Sequence, residues 1–169
     1  SKGYNVLLLD GILDAHFIST LEQKYGDCQF ARVDSASIDK LIEKEEESKE
    51  SKLNDEQKES VKKAFEEIID KTSFNVEFSN LNEADAPVEV IQNEFMRRMK
   101  EMSAMNGMSM WGGMPDSYTL MLNANNPVIA GLVDKNEEEQ KNTIHQLYDL
   151  ARLSKNLLKG KDLNEFVKR

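Results

Sequence analysis

The apolar positions at the start of the chain change period within a few residues. Tyr4-Asn5-Val6-Leu7-Leu8-Leu9 is a short, nearly continuous apolar run, the pattern of a strand buried on both faces. Leu13, Phe17, Leu21 and Tyr25 then recur every fourth position, which predicts a helix. Asp10 or Asp14 is placed to cap it, and Gly26 falls where a left-handed residue would stop it. Cys28-Gln29-Phe30-Ala31-Arg32-Val33 reads as a second strand. Strand, helix, strand in so short a stretch is a βαβ segment. It cannot stand alone, so it is expected at the edge of a larger sheet.

Ser35 or Ser37 can open a short helix carrying Ile38, Leu41 and Ile42 on one side. From Glu43 to Lys52 only Lys, Glu and Ser occur, so the stretch has nothing to bury and predicts a solvated helical extension or a mobile linker. Asn54-Asp55-Glu56-Gln57 has the form of a capping box, and Val61, Ala64, Phe65 and Ile68 form an i, i+3, i+4, i+7 stripe behind it. Two short strands are expected near Phe74–Phe78 and Pro87–Ile91, with the polar turn Asn80–Asp85 between them. Asn93 starts a helix that fades near Asn106-Gly107, and Ser117–Leu122 is strand-like.

Pro127 suits the first turn of a helix capped by Asn126. Asn136 caps a last long helix, rich in Glu at its start as the helix dipole favours, and Gly160 is expected to end it. A closing helix carries Leu163, Phe166 and Val167. The expected fold class is α+β: a short βαβ segment over residues 1–36, then a small mixed sheet with helices over 37–169.

The last long helix has more apolar surface than one core needs. At roughly 100° per residue, Ile144, Leu147, Tyr148, Leu150, Ala151, Leu153, Leu157 and Leu158 fall in an arc of roughly 220°, interrupted by Gln146, Ser154 and Lys155. A stripe of about 100° seals a single core. The surplus predicts a second neighbour, the same helix of another protomer, with Phe166 and Val167 joining a bundle about a two-fold axis. The alternative is a helix enclosed on all sides within one domain.

Charge narrows the partners. The chain carries 22 Lys and Arg against 31 Asp and Glu, and interleaved acids deny the lysines the clustering that a phosphate backbone requires. A nucleic-acid partner is therefore not expected. The single thiol, Cys28, forms no intrachain disulfide and fits a reducing compartment. No apolar run approaches the ~20 residues of a membrane span, so a cytoplasmic setting is expected. The opening Ser1-Lys2-Gly3 runs directly into the first strand pattern and reads as a cut inside a longer protein.

Candidate catalytic groups are sparse. His16 and His145 are far apart in sequence, and the chain has no phosphate-binding Gly-rich loop, no HExxH and no nucleophile in a recognisable setting. The methionines are more informative: seven of eight lie between Met96 and Met114, with the only tryptophan, Trp111. Phe95, Met99 and Met102 share a helical face flanked by Met96 and Met105, and Met108, Met110 and Met114 follow in a Gly-rich stretch. Methionine is unbranched and polarizable, so such a surface can adapt to many apolar shapes. The competing readings are ordinary core for Phe95 and Met99, and copper(I) held by thioethers at three-residue spacing. On a helix that spacing drifts by roughly 60° per step, so the sulfurs do not converge. A structural oligomerisation adaptor without a client surface is a third reading.

At several points the chain resembles the ninety-kilodalton heat-shock chaperones, in particular their bacterial branch. Gly3-Tyr4-Asn5-Val6-Leu7-Leu8 with Asp10, Ile12, Asp14 and Phe17, then Phe30-Ala31-Arg32-Val33-Asp34, is similar to the end of that family's middle domain. Pro87-Val88, Leu122-Asn123 with Pro127-Val128-Ile129, Leu147-Tyr148-Asp149-Leu150-Ala151, and Leu158 with Asp162-Leu163 and Phe166 resemble landmarks of its C-terminal domain. Ala15 and Asn126 depart from the family pattern, where an acid and a His are common. The resemblance implies a C-terminal region that forms a homodimer through its last helices and holds non-native client proteins. It also implies an ATP and magnesium site in a domain absent from these residues, so the fragment itself would be non-catalytic and free of cofactors.

Overall fold

The computed structural model describes residues 6–9, 11, 13–27, 30, 50–92, 97–98 and 117–168. The chain divides into two compact units, Ser1–Arg32 and Val33–Arg169.

In the first unit the predicted helix is present as α1, Asp14–Lys24. Asp14 is its first residue rather than its cap: the Leu13 position has no side-chain cap, and the Asp14 carboxylate reaches back to accept the Gly11 N–H at 2.7 Å. The helix ends before Gly26, which does not adopt the expected left-handed conformation; Tyr25 closes the last turn by donating to the Leu21 carbonyl. The strand expected at Tyr4–Leu9 is not formed in its described part. Val6, Leu7 and Leu8 are more than two-thirds exposed and Val6–Leu9 have no strand pairing. An apolar run becomes a strand only with a hydrogen-bonding neighbour, and an isolated βαβ segment supplies too little sheet. Of the second expected strand only Phe30 is described, and its N–H donates to the Glu22 carboxylate at 2.7 Å.

In the second unit the first described helix is α2, Asp55–Glu66. Its capping box is complete: Asn54 accepts the Gln57 N–H at 2.8 Å, and the Gln57 side chain accepts the Asn54 N–H at 3.0 Å. Val61 and Phe65 are fully buried, while Ala64 and, just past the helix, Ile68 pack against the same core. Asp70 then gathers the Thr72 N–H and the Thr72 and Ser73 hydroxyls, fixing the turn that feeds the first strand. These bonds hold the Asp70 carboxyl below the usual carboxylate range.

Three strands follow, β1 Phe74–Ser79, β2 Val88–Gln92 and β3 Tyr118–Asn123, in the spatial order β1-β3-β2. The last strand lies in the middle, parallel to β1 and antiparallel to β2. The register aligns Val76, Leu120 and Val90 in one row, all buried. Being central, β3 is buried continuously from Leu120 to Asn123 rather than at alternate positions.

Beyond β3 a cluster of asparagines replaces missing secondary structure. The Asn123 amide donates to the Asn82 carbonyl, Asn125 to Leu81, and Asn126 to both Glu83 and Asp85. Asn125 also accepts the Lys52 N–H at 2.9 Å. All three asparagines are buried, and their amides tie the turn at residues 81–85 to the end of β3. Asn126 additionally caps α3, Pro127–Ala130, by accepting the Val128 N–H at 2.9 Å. A 3-10 helix, Gly131–Asp134, then delivers Leu132 to the core.

Helix α4, Glu137–Ser154, is capped by Asn136 through the Glu139 N–H at 2.9 Å. It stops six residues before Gly160, where the sequence pattern had placed its end. Asn156 takes the left-handed conformation, φ 56°, that was expected of glycine. The Leu157 N–H donates to Arg152 and the Asn156 N–H to Leu153, the paired bonds of a Schellman turn. Asparagine tolerates this region better than other non-glycine residues, which is why the helix ends early. Gly160, φ +59°, instead opens α5, Gly160–Lys168.

A candidate interaction surface on the last two helices

The early end of α4 divides the apolar arc. Ile144, Leu147, Tyr148 and Ala151 sit at i, i+3, i+4 and i+7 and are buried against the core of their own unit. Leu157 and Leu158 lie beyond the helix, the first half-buried against that core and the second buried. A continuous arc running through Leu158 is therefore corrected: Leu150 and Leu153 remain as the free apolar residues of α4, 45% and 38% exposed. They are three positions apart and so neighbours on one face.

Helix α5 also leaves apolar side chains uncovered. Its apolar residues Leu163 and Phe166 are half-buried, Val167 is 74% exposed, and no residue of the helix is buried. A nine-residue helix with an apolar stripe and so little burial is poorly stabilised by its own propensity, because isolated helices shorter than ~12–15 residues are marginal.

Polar groups join the two helices. Arg152, facing away from solvent at 17% side-chain exposure, donates to the Asp162 carboxylate of α5 at 2.7 Å and lies 3.5 Å from the buried Asp149 of α4. Its guanidinium also stands over the Tyr148 ring, 5.0 Å from the centroid. The hydrogen bond and charge of Arg152 hold the Asp162 carboxyl below its ordinary range. Burial pushes the Tyr148 phenol up, against the opposing effect of Arg152. Neither Asp149 nor Arg152 belongs to the apolar arc read from the sequence. Their three-residue spacing was the one visible signal, and Asp162 lies in another helix.

The methionine-rich residues Phe95, Met96, Met99, Met102, Met105, Met108, Met110, Trp111 and Met114 lie outside the described residues. The flanks of that segment are described. Gln92, at the end of β2, pairs with Tyr118, at the start of β3, so the chain leaves and re-enters the sheet at adjacent positions. Among the described residues no group of three or more His, Cys, Asp or Glu is placed to hold a metal ion. His16 and His145 are both exposed on helices. No described helix is long and apolar enough to cross a membrane.

The family model described as Hsp90 protein matches residues 1–169, and the chain belongs to that family. Among curated proteins it is similar to Chaperone protein HtpG of Bacteroides thetaiotaomicron, 35% identical over a 238-residue alignment that covers 100% of this chain and 35% of that protein. It is also 42% identical to Chaperone protein HtpG of Porphyromonas gingivalis over 150 residues, 86% of this chain and 22% of the relative. The protein of the same name from Bacteroides fragilis is 42% identical over 143 residues, 82% and 21% respectively. The chain thus spans between about a fifth and a third of the length of these relatives.

Proposed function

We propose that these residues form the dimerising and client-holding C-terminal region of an ATP-dependent, cytoplasmic chaperone, preceded by the tail of its middle domain. The observation that carries the reading is the set of exposed apolar residues on α4 and α5, Leu150, Leu153 and Val167 with Phe166 half-buried, in a chain of the Hsp90 family. Pairing these helices with their copies about a two-fold axis would bury that surface in a four-helix bundle. The methionines between Met96 and Met114 supply the surface for non-native clients, a part that methionine's adaptable side chain suits.

The exposed Val6–Leu9 run and the Phe17 face of α1 fit a segment that completes a sheet elsewhere in the parent protein, with the domain boundary near residue 36. ATP and magnesium belong to that parent, and these residues act without a cofactor. The test is the molar mass in solution by light scattering, run beside an assay of aggregation suppression on an unfolding protein. A dimer that suppresses aggregation is expected. A monomer at high concentration removes the interface, and a dimer without holding activity leaves only an oligomerisation adaptor.

A further inference from the structure

Arg152 has an arrangement that neither folding of the core nor a bare apolar interface requires. It is a guanidinium at 17% side-chain exposure, set on α4 beside Asp149 and over Tyr148, with its free edge turned to a carboxylate of the next helix. That helix carries no buried residue, so its own burial does little to fix its direction. We infer that Arg152 is the positioning residue of the last two helices, fixing through Asp162 the direction in which α5 leaves α4.

The planar fork of Arg152 and the 2.7 Å bond make the tie directional, which a hydrophobic contact alone would not be. A helix fixed in this way before two copies meet need not be ordered as they associate, and that saving appears as affinity. The inference rests on the proposed interface, but the positioning of α5 can be read without it.

Asp162 is the residue to change, because its side chain is 54% exposed and its loss leaves Arg152 with Asp149 and Tyr148. The full chain is compared as wild type, Asp162→Asn and Asp162→Glu, with Leu150→Glu/Leu153→Glu as an interface control. Amide hydrogen exchange is read in α5 and, as an internal reference, in β3; dimer dissociation is read by sedimentation. Asp162→Asn is expected to speed exchange in α5 while leaving β3 unchanged, and to weaken the dimer roughly three- to tenfold, with two such pairs per dimer. Asp162→Glu is expected to restore both. Unchanged α5 exchange in Asp162→Asn overturns the inference whatever the assembly state. Faster α5 exchange without weaker dimerisation, where the interface control does dissociate, overturns the link to affinity. If the interface control stays dimeric, the interface reading is wrong and α5 exchange alone decides the positioning role.

Discussion

The Phe74 ring of β1 meets the Tyr148 ring of α4 edge to face, with centroids 5.3 Å apart at 86°. Phe74 also stacks on Tyr118 of β3 at 5.4 Å, so one aromatic run joins two strands to the long helix. Such pairs contribute about 0.5–1.5 kcal/mol beyond the area they bury. Tyr148→Ala is expected to cost about 3–5 kcal/mol in urea unfolding, while Tyr148→Phe keeps the ring and its packing and costs far less.

The same phenol makes stability depend on alkaline pH. Its pKa is raised above the ordinary 10.0, chiefly by burial. An acid whose folded pKa is raised favours the fold while neutral. The contribution is whole below about pH 10 and is lost as pH rises through the raised value. Wild type should therefore lose more stability than Tyr148→Phe as pH rises above about 10, read as the difference in urea midpoints. Equal losses would mean that the phenol ionises as freely in the fold as in the unfolded chain.

Leu150→Glu with Leu153→Glu is expected to convert dimer to monomer in light scattering. Carboxylates buried without partners in an interface cost several kcal/mol each, whereas on a free surface they cost almost nothing. The monomer should keep its urea midpoint per protomer, since neither side chain belongs to the core cluster. Survival of the dimer would place the contact on another face.

At the end of α4, Asn156→Gly is expected to be neutral or stabilising, because glycine reaches φ 56° without a Cβ clash. Asn156→Ala should cost about 1–2 kcal/mol for the same backbone. At the start of α2, Asn54→Ala should cost about 1 kcal/mol through the capping box. Thermal unfolding of the three variants checks all of these, and an Ala at 156 that costs nothing would show the turn to be easily rearranged.

Changing Met105, Met108, Met110 and Trp111 together to Ser is expected to weaken aggregation suppression while leaving dimer mass and urea midpoint within about 0.5 kcal/mol of wild type. Trp111 is the chain's only tryptophan, so its emission reports on this segment alone. Adding an unfolded client to wild type should shift it to shorter wavelength. Loss of folding in the four-residue variant would instead make the segment part of the core.

Local chemistry written in consecutive residues was legible before any coordinates. The reciprocal cap of Asn54 and Gln57, the caps at Asn126 and Asn136, the Val61–Phe65 stripe and the three strands each rest on spacings of two to four residues. Tertiary context decided what such spacings cannot encode. The order β1-β3-β2 places the last strand between the first two because burial rewards its unbroken apolar run, and sequence order carries no trace of that. Val6–Leu9 has the composition of a strand but no described neighbour to pair with. The arc on α4 was real as composition, yet a left-handed Asn156 moved Leu157 and Leu158 off the helix, and the core claimed Ile144, Leu147, Tyr148 and Ala151. What remained free was Leu150 and Leu153, beside an Arg152 whose partner Asp162 comes ten residues later. A hydrophobic period says how much of a helix can be buried; only packing in three dimensions decides which part is.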